Sequence, residues 1–421
     1  MNLLCLHYYF PPLRSTAVIR NYHFTQAFAK YFKKVHVLTS DNYTRYPQTV
    51  RPLAHNISVH DIYTLDYRTA MGNKGGKDAH ISMKKKSSSW LQFFMKLQKS
   101  HPFNLLLGEG NFLYIHNAYK KACRLIEAEQ IDTIYSSFAP YADHYVAYKL
   151  KKKYPQLRWI ADFRDLQIEP IYDNVVLKSW QRRVERKTLV LADKVITVSE
   201  SYADQLKIYD RPTQSIMRGV DIREPQVKYD KFTISYTGSL YFDYRDPSYL
   251  LETIATFISD GQVNMEQIQI IYAGRDGAQF LEYIEKYKLT KIFLDRGMVT
   301  QKEAMNIQSR SHLNLLLTSS SPELKGVMTG KLFEYLEAPD SLIICLINGV
   351  QDLEFEALFD KLQAGIVVYN PPLELDRLQN FIKNIYNNVQ QTGAVQHNTN
   401  KSVLIDEFSW ESQAKKLLSI S

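Results

Sequence analysis

The chain has 421 residues, beyond the roughly 250–300 at which a single hydrophobic core stops growing, so its length predicts two domains of about 200 residues each. Apolar residues at 45% and charged residues at 23% exclude a disordered or collagen-like chain. The three cysteines, Cys5, Cys123 and Cys345, lie too far apart for a disulfide framework or a zinc cluster and point to a reducing compartment. The net charge of +8 is concentrated: Lys74 to Arg124 holds ten Lys and Arg against only Asp78 and Glu109, a patch suited to nucleic acid, a nucleotide or anionic lipid.

Met1 to Phe10 has no basic leader region or small-residue cleavage site, and the best apolar run, Leu342 to Ile347, is only strand-length. A cytoplasmic protein, neither secreted by that route nor integral to a membrane, is therefore expected. Short β-branched or aromatic runs alternate with amphipathic stretches, the pattern of parallel α/β sheets. In the first half the strands are Asn2 to His7, Lys34 to Thr39, Asp132 to Ser137, Leu157 to Asp162 and Lys194 to Ser199. Helices fall near 17–32, 112–128, 141–153, 176–191 and 200–208. Residues 40–105 read as irregular, and residues 218–231, with Gly219 and Pro225, as an interdomain linker. The alternation then restarts with strands Phe232 to Thr237, Gln267 to Ala273, Lys291 to Leu294, His312 to Leu317, Ser341 to Ile347 and Gly365 to Tyr369. Helices fit near 247–258, 277–287, 301–309, 329–338, 353–362 and 374–389. The expected domains are 1–217 and 232–407, with a final helix, Phe408 to Leu418, within a 408–421 segment that returns to the first.

The sharpest motif is Gly326-Val-Met-Thr-Gly-Lys-Leu-Phe-Glu-Tyr-Leu-Glu337, a loop feeding a helix. Unpaired N–H groups at Thr329, Gly330 and Lys331 would hold a diphosphate. Lys331 and Glu334, three apart, share a face on which the ammonium meets phosphate and the carboxylate accepts from ribose hydroxyls. The plain alternative is a helix start followed by a surface ion pair.

Thr329-Gly-Lys-Leu-Phe-Glu-Tyr-Leu336 resembles the donor-site segment of family-4 glycosyltransferases of the GT-B fold, particularly the branch that builds bacterial surface polysaccharides. Further segments are similar in the same order: Tyr9-Phe-Pro-Pro12 with Arg20, Ser136-Ser137 through Pro140 and His144, Asp162-Phe-Arg-Asp165, and Ala192 to Glu200. Gly219-Val-Asp221, Tyr236-Thr-Gly238-Ser239 and Tyr272-Ala-Gly274 continue the series. The resemblance implies two Rossmann-like domains facing a cleft, an N-terminal acceptor domain and a C-terminal nucleotide-sugar domain. It also implies retaining transfer of a hexosyl group from a nucleotide-diphosphate sugar to a hydroxyl acceptor, lipid-linked in many relatives.

Departures accompany the likeness. The family commonly has two glutamates with seven residues between them; the second falls on Glu334 and the first on Gly326, with Glu323 nearby as a substitute. Its Arg and Lys after the second domain's first strand fall on Ser239 and Arg245, and its Gly-Gly loop is replaced by Leu13-Arg14-Ser15. Arg14 reads as a phosphate or acceptor ligand, or as a solvated loop arginine. His144 reads as a hydrogen-bond partner of sugar or acceptor, or as a helix-surface histidine. Asp162 reads as an acceptor base or orienter, and equally as part of a structural clamp with Arg164. Arg275 would face the nucleotide, or solvent.

Residues 84–99 interleave Lys84, Lys85, Lys86, Lys96 and Lys99 with Trp90, Phe93, Phe94 and Leu97, a composition for an anionic membrane surface or for an ordinary docked helix. Nucleic acid is not expected, because no recognition motif accompanies the charge. The expected catalytic residues are Arg245, Lys331, His144 and Asp162, with Thr329, Gly330, Glu334, Gly238, Ser239, Gly274, Arg275 and Arg14 binding substrate and neither metal nor cofactor required. Alternatives are a nucleotide-sugar 2-epimerase of the same fold and a non-catalytic nucleotide-sugar binder.

Overall fold

In a computed structural model, the described residues are 1–13, 16–41, 50–65, 93, 96–106, 109–168, 174–240, 245–322, 325–370, 375–395 and 400–418. They form two compact units, Met1–Gly219 with Trp410–Ser421, and Val220–Ser409. The first holds β1 (Asn2–Leu6), β2 (Lys34–Ser40), β3 (Ile57–Ile62), β4 (Thr133–Phe138), β5 (Arg158–Phe163), β6 (Lys194–Thr197) and β7 (Thr213–Ser215). All pair in parallel, in the order β3-β2-β1-β4-β5-β6-β7. Runs such as Leu3 to Leu6 and Thr133 to Phe138 are buried on both faces, as strands covered by helices on each side must be.

The second unit holds β8 (Phe232–Thr237), β9 (Ile268–Ala273), β10 (Phe293–Asp295), β11 (Leu313–Ser320), β12 (Leu342–Gly349) and β13 (Gly365–Asn370), in the parallel order β10-β9-β8-β11-β12-β13. Its core packs Phe232, Ile234 and Tyr236 with Phe280, Ile284 and Leu315. Each sheet reverses its strand order once, between β1 and β4 and between β8 and β11. In a doubly wound sheet the carboxyl edge at such a reversal leaves a crevice between diverging loops, where ligands bind.

The expected strands are all present, their ends shifted by three residues or fewer. Strands β3 and β7 and the helices Phe103–Leu106 and Lys401–Phe408 were not expected. β3 is an edge strand, Ile57-Ser-Val-His-Asp-Ile62, paired only with β2, so half its residues are polar and its alternation is lost in the surrounding loop. The terminal segment differs too. Ser409, extended at φ −62° and ψ 154°, divides Lys401–Phe408 from Trp410–Leu418, so Phe408 ends one helix instead of starting the last. Trp410–Leu418 belongs to the first unit, where Trp410 stacks on His23 at 4.6 Å. A Cβ on Gly219 would lie 2.5 Å from Trp410 Cα, so only glycine lets the two chain crossings approach this closely.

Much of the expected 218–231 linker is fixed to the second unit, which begins at Val220. Arg223 reaches Glu337 at 3.2 Å and the Glu334 carbonyl at 2.9 Å. Lys228 Nζ donates to the Ser309 and Ser311 carbonyls, each at 2.9 Å, and to Ser341 Oγ at 2.7 Å. Its burial pushes the ammonium down to about 8. Among the described residues no helix is long and apolar enough to cross a membrane.

Candidate active site

The loops following β8 and β9 meet at glycines. Gly238, at φ +139°, donates its N–H to the Ala273 carbonyl at 2.8 Å. Its own carbonyl accepts from Tyr272 Oη at 2.9 Å. A Cβ on Gly274 would lie 2.1 Å from that carbonyl oxygen, so the two loops touch backbone to backbone. Asp276 ties them further by accepting from the Leu240 N–H at 2.9 Å, and Arg275 Nε lies 3.8 Å from Asp276 Oδ1.

Lys331 lies across this glycine platform. A Cβ added at Gly238 would stand 2.1 Å from Lys331 Cε and 2.3 Å from Nζ, so the absent side chain is what gives the ammonium its place. Arg245, whose Nη1 donates to the Ser239 carbonyl at 2.8 Å, puts a second positive charge beside it. Burial pushes the Lys331 ammonium below the ordinary lysine range; Glu334 opposes that shift and Arg245 adds to it. Among the described residues no carboxylate lies within ion-pair distance of Lys331, so the alternative of a Lys331–Glu334 surface ion pair does not form.

The helix Gly330–Leu336 is held because Leu332, Phe333, Tyr335 and Leu336 are buried, which leaves Lys331 and Glu334 on its other face. Tyr335 Oη donates to the Leu315 carbonyl at 3.1 Å, fixing the helix to β11. Seven residues make only a small macrodipole, so the positive field here comes chiefly from the two side chains. Thr329 is the extended N-cap, yet its side chain makes no cap bond, and its Oγ1 is buried with no partner among the described residues.

Gly326, where the resembling family has a carboxylate, takes φ +62° and donates its N–H to Asp352 Oδ2 at 2.6 Å. Asp352 is buried and also caps the helix Leu353–Leu362 through the Phe355 N–H at 3.3 Å. The left-handed backbone that suits glycine here would strain a glutamate. Sequence reasoning missed Asp352 and Arg223 as organisers of this loop and helix. An aspartate directly before the apolar stretch from Leu353 was a readable cap signal, whereas nothing local announced the partners of Arg223.

In the first unit, the expected acceptor residues Asp162 and His144 are interior. Asp162, at the carboxyl end of β5, is fully buried and clamped by Arg20, Nε to Oδ2 at 2.9 Å and Nη2 to Oδ1 at 3.0 Å. Tyr135 Oη donates to Oδ2 as well, and Arg20 Nη2 continues to the Ile216 carbonyl at 3.0 Å. The clamp's partner is therefore Arg20, not Arg164, which donates to the Phe138 and Ala139 carbonyls at 2.8 and 3.0 Å. With both oxygens engaged, Asp162 is placed as a structural anion and has no open face for an acceptor proton.

His144 is buried, not on a helix surface. Its Nδ1 lies 2.8 Å from Ser136 Oγ, which also accepts from Trp159 Nε1 at 2.8 Å, while Nε2 is buried without a partner among the described residues. Burial pushes the ring down to about 3, so it is neutral at pH 7. Two neighbours went unread in the sequence. His7, at the end of β1, has both ring nitrogens buried and unpartnered and is likewise pushed down to about 3. Burial pushes Asp143 up to about 7, although it accepts from the Tyr8 N–H at 2.8 Å and from Tyr114 Oη at 2.7 Å. Arg14, Glu323 and residues 84–92, 94 and 95 of the basic aromatic segment lie outside the described residues.

The sequence matches no protein-family model and no curated protein. Solved structures nevertheless share its whole length. Sucrose-phosphate synthase from Thermosynechococcus elongatus is similar with a TM-score of 0.60 at 13% identity, over 100% of this chain and 98% of that one. A trehalose-6-phosphate structure from E. coli bound with UDP-2-fluoro glucose gives 0.58 at 12%, over 100% and 98%. A lipopolysaccharide outer core galactosyltransferase in its apo form gives 0.57 at 11%, again over 100% and 98%. These likenesses, with the two parallel sheets of seven and six strands, define the fold as GT-B, built of two Rossmann-like units.

Proposed function

We propose that the protein is a retaining, metal-independent glycosyltransferase. It moves a hexosyl group from a nucleotide-diphosphate sugar, held by the second unit, to a hydroxyl acceptor taken by the first, lipid-linked and destined for surface polysaccharide. The observation that carries this reading is the Lys331 ammonium lying across Gly238 beside Arg245, at the carboxyl edge where the β8–β11 sheet reverses. A half-buried cation without a carboxylate partner is costly alone and is relieved by a dianionic ligand. The glycosyltransferase names among proteins of this fold, one of them bound with UDP-2-fluoro glucose, support the same choice of ligand.

In this mechanism the departing diphosphate develops negative charge, and Lys331 and Arg245 stabilise it from fixed positions without solvent reorganisation. Glu334, on the same helix face as Lys331, accepts from ribose hydroxyls, and the unpartnered Thr329 Oγ1 supplies a further polar contact. Proton removal from the acceptor falls to the leaving phosphate, consistent with the closed environment of Asp162. The exposed Phe93 and the basic aromatic segment around it support peripheral contact with an anionic membrane.

Incubation with a panel of nucleotide sugars in excess EDTA tests this. Transfer of sugar to an added hydroxyl acceptor is expected, and a requirement for magnesium or manganese would contradict the two-cation assignment. Gly326 favours a second reading as a non-catalytic binder, because its backbone suits no donor-sugar carboxylate; binding without turnover would favour it. Lys331→Ala and Glu334→Ala should each weaken calorimetric binding several-fold to several hundred-fold, following about 1–3 kcal/mol per charged hydrogen bond. Unchanged affinity in both variants would reject the site.

A further inference from the structure

One cavity of the first unit is lined, among the described residues, by helix residues and His101 and by none from the strands of its sheet. It is a groove of about 760 Å³ among the helices Phe112–Glu129, Ala142–Lys153 and Lys178–Leu189, closed on one side by His101. A helix that follows a strand in a parallel sheet runs back against it, so Lys152 and Lys153, in the last turn of their helix, sit toward the opposite edge from the strand ends that bear Asp162 and His7.

Among the described residues five cations line the groove, Lys149, Lys152, Lys153, Arg183 and Lys187, and no carboxylate does. Among the described residues only Lys153 has an ion-pair partner, Glu127 at 3.3 Å. The nearest acid on the Lys178–Leu189 helix, Glu185, is buried against Tyr209 on its inner face. The walls are aromatic: Tyr119, Tyr145, Tyr148 and Trp180. Lys149 Nζ rests 4.5 Å above the Tyr119 ring, and Lys152 Nζ rests 5.7 Å from that of Tyr148, so two of the charges are held over π-faces instead of extending into water. Trp180 remains 47% exposed, a large ring left without full cover.

We propose that this groove is a second ligand site, separate from the donor site, for a phosphate ester attached to a ring. Its volume matches a small-ligand pocket. An excess of cations with no resident acid is offset by a multiply charged group, which phosphate supplies and a single carboxylate does not. Arg183 offers the planar fork that pairs with phosphate oxygens, and the lysines act as point charges around it. The tyrosine and tryptophan faces then cover the ring that carries the ester. The ester comes either from a soluble sugar phosphate or from a lipid headgroup, and the two sources behave differently in experiment.

The test uses the full chain carrying Lys331→Ala, which weakens the proposed donor site, titrated with inorganic pyrophosphate and with phosphatidylcholine vesicles containing phosphatidylglycerol. Binding of either probe, lowered at least tenfold by Arg183→Ala with Lys187→Ala and also by Lys149→Gln with Lys152→Gln, supports the site. Circular dichroism melting confirms that each pair stays folded, as expected for mostly exposed side chains. Binding of pyrophosphate without vesicles identifies a soluble ester, and vesicle binding identifies a headgroup. No binding of either probe, binding unchanged in both pairs, or preference for a single-stranded oligonucleotide over both probes overturns the proposal.

Discussion

Replacing Asp162 by asparagine separates two roles that the sequence left equal. The carboxylate and Arg20 are 0% and 5% exposed, and the pair is bidentate, with Tyr135 Oη and the Ile216 carbonyl completing the network. Asp162→Asn keeps the shape but leaves the Arg20 guanidinium buried opposite a neutral amide. Breaking such a pair costs about 3–5 kcal/mol, because the remaining charge has neither water nor counter-charge. For a unit of this size each kcal/mol moves the midpoint by about 2–4 °C, so Asp162→Asn should lower the first unit's melting temperature by roughly 6–20 °C. The companion Arg20→Met with Asp162→Leu removes both charges together and should recover more than half of that loss, since a packed apolar pair avoids the desolvation penalty. Calorimetry of the three proteins measures it. If Asp162→Asn melts within about 3 °C of the parent while transfer activity collapses, the carboxylate is a catalytic base and the structural assignment is wrong.

Gly238→Ala should displace the Lys331 ammonium and force an L-residue to φ +139°, lowering nucleotide-sugar affinity about tenfold or more, near 1.4 kcal/mol, by isothermal titration; unaltered affinity would show that Lys331 does not need its platform. His144, faced by Asp162 and Arg164, has its folded-state value pushed down to about 3, so the unfolded chain binds the extra proton between about pH 3 and 6.5 and stability falls as pH drops through that window. At pH 5 this is about 2 kcal/mol from one histidine, so denaturant titrations at pH 7.5 and pH 5 should differ by that much more in the parent than in His144→Gln; parallel profiles would mean that the ring is not held neutral.

The fold was legible where both faces of a strand are buried. Leu313 to Leu317 and Leu342 to Ile347 announce themselves because a parallel strand between helix layers admits almost no polar residue. β3 and β7 were not, since an edge strand such as Thr213-Gln-Ser215 needs neither apolar residues nor length. The candidate donor site was legible in part. Lys331 and Glu334 follow from helical spacing, but the dependence of Lys331 on Gly238 spans 93 positions and has no local signature. In the first unit, Arg20 and Asp162 were both singled out, yet their pairing across 142 residues was assigned to the nearer Arg164. Proximity in sequence is a poor guide to a buried ion pair, because the partner is chosen by which helix covers the strand end.

The same limit explains how the chain's charge was read. A linear window over Lys74 to Arg124 captured the whole net excess, and half of it falls on residues whose positions the structure does not describe. The groove cations lie outside that window. Tyr145, Tyr148, Lys149 and Lys152 recur at three- and four-residue intervals, as do Trp180, Arg183, Val184 and Lys187, so each set occupies one face of its helix. A window sum averages such a face with the acids and apolar residues behind it; on the Lys178–Leu189 helix, Glu185 offsets the count although it is buried on the opposite side. Charge that acts on a ligand is therefore counted along helical faces after the elements are assigned.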